Sequence, residues 1–132
     1  PRQDHQRLPL AKRLGTHRRP LVDAVALMEQ HLEQPLSMTA LSERIGLSLR
    51  QLQRLFLEEL GKRPRDYYLE LRLDRARHLL EETDRDILSI GLACGFSSAS
   101  SFSRAYRQRY AQAPSDTRRP AAAPSPTIDR DQ

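Results

Sequence analysis

Cysteine is nearly absent from the sequence, and long apolar runs are missing. The one cysteine, Cys94, excludes an internal disulfide and a zinc site built from several thiolates. No stretch approaches the roughly 18 apolar residues of a membrane-spanning helix, and no signal peptide precedes the first predicted helix. With 132 residues, the chain has room for one domain or two very small ones. We therefore expect a cytoplasmic protein that uses no membrane, metal or cofactor.

The chain is basic, and its charges are arranged in blocks. The formal net charge is +5 and the isoelectric point is about 10.0. Residues 44–65 hold six basic and two acidic side chains, and residues 98–119 hold five basic and one acidic. The segment between them, 66–97, holds four basic and seven acidic side chains. Two basic blocks around an acidic spacer predict a polyanionic partner.

Apolar periodicity predicts an all-α fold of about seven helices. Ser37 is placed to cap a second helix at about 38–45, and Gly46 supplies the left-handed residue that ends it. Ser48 and Gln51 have the spacing of a capping box, so a third helix should begin there. Two helices separated by a short glycine turn predict a helix-turn-helix.

The same pattern occurs a second time, after a long helix predicted from Pro64 to Leu80. Matching residues recur at an offset of 49 up to Gly95 and at an offset of 50 from Phe102 onward. One inserted residue near Ser97 accounts for the change. The repeat predicts a second helix-turn-helix, in which Cys94 takes the position of a small buried hydrophobe.

Five segments follow from these patterns. We predict an N-terminal linker or arm at 1–19, a first helix-turn-helix subdomain at 20–62 and a long linker helix at 63–81. A second helix-turn-helix subdomain should occupy 82–119, and the proline-rich residues 120–132 should form a disordered tail.

The outward faces of the third and sixth helices carry side chains suited to reading bases. Arginine can donate two hydrogen bonds to guanine, glutamine can pair with adenine, and small side chains can touch thymine methyls. The predicted base-reading residues are Arg50, Gln53, Arg54, Ala99, Ser100, Ser101 and Arg104. Because three of the four in the second set are small, we expect the first module to carry more sequence information.

A second set of residues is predicted to contact DNA phosphates. Basic side chains beside the reading helices and backbone N–H groups at capped helix starts are the usual phosphate ligands. The predicted phosphate-contacting residues are Ser37, Ser48, Lys62, Arg63, Arg65, Arg107 and Arg109. For both sets the alternative is an ordinary solvated surface.

No catalytic constellation is visible in the sequence. There is no glycine-rich phosphate loop, and no histidine has the spacing of a catalytic or metal-binding arrangement. A DNA-alkyl repair protein is the enzymatic alternative, but it would need four clustered cysteines and only Cys94 is present. We expect no catalytic residue and no enzyme. A non-specific architectural module and a protein-interaction module remain as further alternatives.

Residues 35–118 resemble the DNA-binding domain of AraC/XylS-type transcription regulators. The resemblance lies in PLSMTALSERIGLSLRQLQRLFLEELG, in RLDRARHLL, in ILSIGLACGFSSASSFSRAYRQRY and in the closing P-S-D-x-R. It implies two helix-turn-helix subdomains joined by a linker helix, with both recognition helices entering successive major grooves of promoter DNA, about 34 Å apart. It also implies transcription activation through RNA polymerase.

The arm RLPLAKRLGTHRRPL is similar to the linker of family members that carry a DJ-1/PfpI amidotransferase-like domain. A sensing or dimerising domain is therefore expected outside this chain. Three positions depart from the family pattern: Gly91 replaces an alanine, Ala111 replaces a glycine and Arg63 replaces a serine. We expect Gly91 to weaken the fifth helix by roughly 0.5 to 1 kcal/mol.

Overall fold

The computed structural model of the protein describes residues 10–15 and 18–118. These residues are helical without any strand, which confirms the predicted all-α class. The helices in order are α1 (Arg19–Gln30), α2 (Met38–Ile45), α3 (Leu49–Leu60), α4 (Pro64–Glu82), α5 (Ile87–Ala93), α6 (Ala99–Tyr110) and α7 (Pro114–Arg118). Residues 10–14 add a helical turn before α1. The predicted tail at 120–132 and the rest of the arm before residue 18 lie outside the described residues.

The chain divides into two compact units, Pro1–Leu71 and Arg72–Gln132. The division falls inside α4. The sequence predicts a linker helix at 63–81 that lies outside both subdomains. In the structure the first half of α4 belongs to the first unit and the second half to the second. The domain bounds drawn from the sequence stay a prediction.

The core of the first unit is formed by the apolar stripes of α1, α2 and α3. Leu21, Val25 and Met28 of α1 are fully buried, as their helical spacing predicts. Tyr68 of α4 is also buried, and its hydroxyl accepts a hydrogen bond from the Leu36 N–H at 3.0 Å. These contacts join α4 to the loop that follows α1.

Part of the predicted arm packs against the first unit. Leu10 and Ala11 are 2% and 8% exposed and belong to the same apolar core as α1 and α3. Arg18 donates to Glu59 of α3 at 3.0 Å and lies 3.5 Å from Glu58. The periodicity of residues 1–19 gave no indication of these contacts, because they join positions far apart in the sequence.

The core of the second unit is largely aromatic. Phe102 and Tyr106 of α6 are fully buried, and their ring centroids lie 5.7 Å apart in an edge-on arrangement. Phe96, just before α6, packs on Phe102 with a centroid distance of 5.2 Å. The Tyr106 hydroxyl is hydrogen-bonded to Thr117 of α7 at 2.6 Å. The short terminal helix is thereby tied to α6.

Candidate DNA interface

The start of α3 is fixed by a complete capping box. The Gln51 N–H donates to the Ser48 hydroxyl at 3.1 Å, and the Ser48 N–H donates to the Gln51 side chain at 2.9 Å. Gly46 has φ of 83°, the left-handed conformation predicted for the turn before α3. Ser37 caps α2 by accepting from the Ala40 N–H at 3.0 Å. These caps confirm the first predicted helix-turn-helix.

The predicted base-reading residues of α3 are all exposed. Leu52, Leu55 and Phe56 are buried on the opposite side of the helix, so the predicted division into two faces is confirmed. Arg50 and Arg54 are four residues apart and therefore lie next to each other along the helix. Within the described part of the chain neither arginine has an acidic partner within ion-pair distance. Both guanidinium groups are thus available to a ligand.

The start of α6 resembles that of α3, but it is capped by serine alone. The Ser98 hydroxyl accepts from the Ser101 N–H at 3.1 Å, and Gly95 before it has φ of 90°. The Ser101 hydroxyl donates to the Ser98 carbonyl at 3.1 Å, and Ser101 is half-buried. Of the predicted base-reading residues on this helix, the exposed ones are Ala99, Ser100 and Arg104. Ser101 is occupied with the cap.

The predicted phosphate-contacting cations fall into two groups. Lys62 donates to Glu70 at 2.6 Å, and Arg109 lies 3.0 Å from Asp74 and stacks against Tyr110 at 5.2 Å from the ring centroid. The remaining three cations are exposed, and no described acid lies within ion-pair distance of them; they are Arg63, Arg65 and Arg107. An unpaired surface cation can take a phosphate without first giving up a partner, so this second group is better placed to do so.

Arg72 of α4 holds the turn that precedes α6. Its guanidinium donates to the Cys94 carbonyl at 2.8 Å and to the Gly95 carbonyl at 2.7 Å. It also lies over the Phe96 ring, 4.3 Å from the centroid. This role is not among the predictions from the sequence, although Arg72 is the first residue of the RLDRARHLL motif. Its position in that motif is the signal that could have revealed it.

Gly91 allows α5 and α6 to approach closely. A Cβ atom at this position would lie 2.8 Å from Cδ2 and 3.0 Å from Cγ of Phe102. Because Phe102 is fully buried, its ring has little room to move. The sequence alone predicts only that Gly91 weakens the helix. The structure adds a packing reason for the glycine.

Arg118, the last residue of α7, donates hydrogen bonds to three backbone carbonyl groups. It donates to the carbonyls of Thr83 at 2.8 Å and Leu80 at 3.3 Å, and also to that of Arg85. The carbonyls at the end of a helix lack partners within the helix. Arg118, the arginine of the closing P-S-D-x-R motif, supplies donors for the end of α4 and the turn after it.

Cys94 and clustered metal ligands are the other features that could give the described residues a chemical site. Cys94 is fully buried, as predicted, and burial raises the pKa of its thiol, which disfavours the reactive thiolate. Within the same residues no group of three or more metal-binding side chains is brought together. None of the helices there has the length and apolar character needed to span a bilayer.

Comparison with known proteins supports the two helix-turn-helix units. A family model described as a helix-turn-helix domain matches residues 41–120. The HTH-type transcriptional regulator CdhR of Pseudomonas aeruginosa is 51% identical over 129 residues, which cover 96% of this chain and 38% of CdhR. Another P. aeruginosa regulator, GbdR, is 43% identical to this chain, which covers 34% of GbdR. The chain thus spans little more than a third of either relative.

Solved structures show the same architecture. The crystal structure of a transcriptional regulator with an AraC-type DNA-binding domain, from Chromobacterium violaceum, is 50% identical with a TM-score of 0.74. The match covers 80% of this chain and 94% of that one. The DNA-binding domain of AdpA, solved in complex with a target DNA, is 27% identical with a TM-score of 0.72, covering 78% and 98% of the two chains.

Proposed function

Because the chain belongs to the AraC-type helix-turn-helix family of transcription regulators, we propose that it binds promoter DNA through the exposed faces of α3 and α6. The observation that carries the proposal is the pair Arg50 and Arg54 on the outer face of a firmly capped helix, where neither has an acidic partner among residues 10–15 and 18–118. Exposed guanidinium groups on a helix face are suited to bidentate recognition of guanine.

The two units should contribute differently to specificity. In the first, Arg50 and Arg54 would read guanine and Gln53 would read adenine in a major groove. In the second, Arg104 is the one long side chain among the predicted readers, and its exposed neighbours Ala99 and Ser100 reach only short distances. The recognised site should therefore be asymmetric, with its stronger sequence preference under α3.

Phosphate contacts should position both units on the duplex. Arg63, Arg65 and Arg107 would supply charge without losing an internal ion pair. Lys62 would have to share its ammonium group with Glu70. Backbone N–H groups at the capped starts of α2 and α3 would add neutral donors at the positive ends of helix dipoles.

The protein as a whole should activate transcription in the cytoplasm by contacting RNA polymerase from a promoter site. A sensing or dimerising domain should lie in the part of the relatives that this chain does not span, and a DJ-1/PfpI-type domain is the version that the arm favours. No enzymatic activity is proposed for the chain itself.

Selection of bound duplexes from a random pool tests the proposal. We expect an enriched, asymmetric motif of about two helical turns. Arg54→Ala should lose discrimination at one base pair of that motif, by roughly 1 to 3 kcal/mol. Arg65→Ala is the matched control, because loss of a phosphate contact should weaken all sequences alike. Equal affinity for selected and random DNA would instead establish a non-specific architectural module.

A further inference from the structure

A leucine at the start of α3 lies next to Gln53, one of the polar side chains proposed to read bases. Leu49 is the first residue of α3 and is 50% exposed, and Leu57 on the same helix is 45% exposed. Helical spacing places Leu49, Gln53 and Leu57 in one row, and Gln53 is also three residues after Arg50, so it lies next to that arginine. Two large exposed apolar side chains thus flank Gln53 along the helix.

The position along the helix distinguishes the two leucines. Recognition helices contact base edges chiefly with their N-terminal residues. Leu57 lies about 12 Å further along the axis than Leu49, at about 1.5 Å per residue. Leu49 follows Ser48, whose capping box fixes the first turn. Its side chain therefore lies one turn before Gln53, at the end of the helix that would enter the groove.

We propose that Leu49 packs against the C5-methyl group of a thymine in the base pairs contacted by α3. This inference rests on the proposed function, and it adds a specificity-determining residue to it. The thymine methyl is the one apolar group that the major groove presents. Leucine offers no hydrogen bond, so any other base placed against it would lose water from a polar edge without gaining a partner.

Replacement of single thymines by deoxyuridine tests the contact, because it removes only the C5-methyl group. The substrate is the duplex obtained by selection, with each thymine under α3 replaced in turn and the dissociation constant measured by fluorescence anisotropy. At one position we expect the unaltered chain to bind the deoxyuridine duplex about fourfold more weakly than the thymine duplex. This is the change in dissociation constant expected when one buried carbon is removed. Leu49→Ala should bind the thymine and deoxyuridine duplexes equally.

Two further variants separate the contact from a general loss of apolar surface. Leu57→Ala should keep the fourfold preference for thymine at that position, and Leu49→Met should keep most of it. A Leu49→Ala protein that still discriminates thymine from deoxyuridine as strongly as the unaltered chain would overturn the inference, even with sequence-specific binding intact. Failure of the proposed function itself would appear earlier, as a selection without any enriched motif.

Discussion

Ala111, the residue after α6, allows a quantitative test of the backbone strain at the end of that helix. Ala111 has φ of 59° and ψ of 25°, and its N–H donates to the Arg107 carbonyl at 2.8 Å. The equivalent residue after α3 is Gly61, with φ of 71° and ψ of 16°. The left-handed conformation costs a residue with a Cβ about 1 to 2 kcal/mol, whereas glycine adopts it freely.

The substitution Ala111→Gly should therefore stabilise the protein. Relief of the left-handed strain is partly offset by the greater freedom of glycine in the unfolded chain, which costs about 0.4 to 1 kcal/mol. Since Ala111 is exposed, the loss of its methyl group removes little packing. We expect a net gain of about 0.5 to 1 kcal/mol in the free energy of unfolding. For a domain of this size that corresponds to a rise in Tm of about 3 to 6 °C.

Urea denaturation followed by circular dichroism measures the change, and two variants provide its controls. Gly61→Ala is the reverse exchange, and a Cβ there would meet no atom within 4 Å, so its expected destabilisation comes from the backbone alone. Ala105→Gly makes the same chemical change inside α6 and should lower stability by about 1 kcal/mol. If Ala111→Gly lowers stability as Ala105→Gly does, the strain argument is refuted.

Four other variants test the packing, a cap and the phosphate contacts. Gly91→Ala should lower the free energy of unfolding by about 1 kcal/mol, because overpacking against Phe102 exceeds the gain in helix propensity; an increased Tm would contradict this. The pKa of Asp86 is lowered by backbone hydrogen bonds at the start of α5, so its charge stabilises the fold above the ordinary pKa of 3.8 and ceases to do so as pH falls through the lowered value. Asp86→Asn should accordingly be less stable than the unaltered chain at neutral pH and equal to it in strong acid. In a salt titration of DNA binding, Arg65→Ala should reduce the slope of log K against log salt by about 0.9, and Lys62→Ala should reduce it less; equal reductions would show that the ion pair of Lys62 is irrelevant.

The local features of the fold could be predicted because they depend on residues close together in the sequence. The capping box of Ser48 and Gln51 joins positions three residues apart, and the turn at Gly46 depends on the conformation of one residue. The second helix-turn-helix followed from the repeat, since equivalent positions have equivalent environments. The buried stripe of α3 and its exposed reading face are the two outcomes of one helical period.

The features that the sequence did not reveal depend on contacts between distant residues. The Tyr68 hydroxyl accepts a hydrogen bond from Leu36 in the loop after α1, 32 positions away. Arg72 reaches the Cys94 carbonyl 22 positions away. Neither contact has a period or a spacing that local reasoning could detect, because each depends on how a helix is rotated against its neighbours.

These distant contacts bear on the proposed difference between the two modules. In the second unit, Arg72 holds the turn before α6 through two carbonyl groups, and Gly91 lets α6 lie close to α5. The orientation of α6 is therefore set by buried and half-buried groups, although most side chains on its predicted reading face are short. An accurately oriented helix with short side chains can still fix the position of Arg104 and of nearby phosphate ligands. We therefore expect Arg72→Ala to weaken DNA binding at the α6 half of the site while leaving the preferences under α3 unchanged. If the motif selected by the Arg72→Ala variant is also altered at the base pairs contacted by α3, the two modules do not recognise DNA independently.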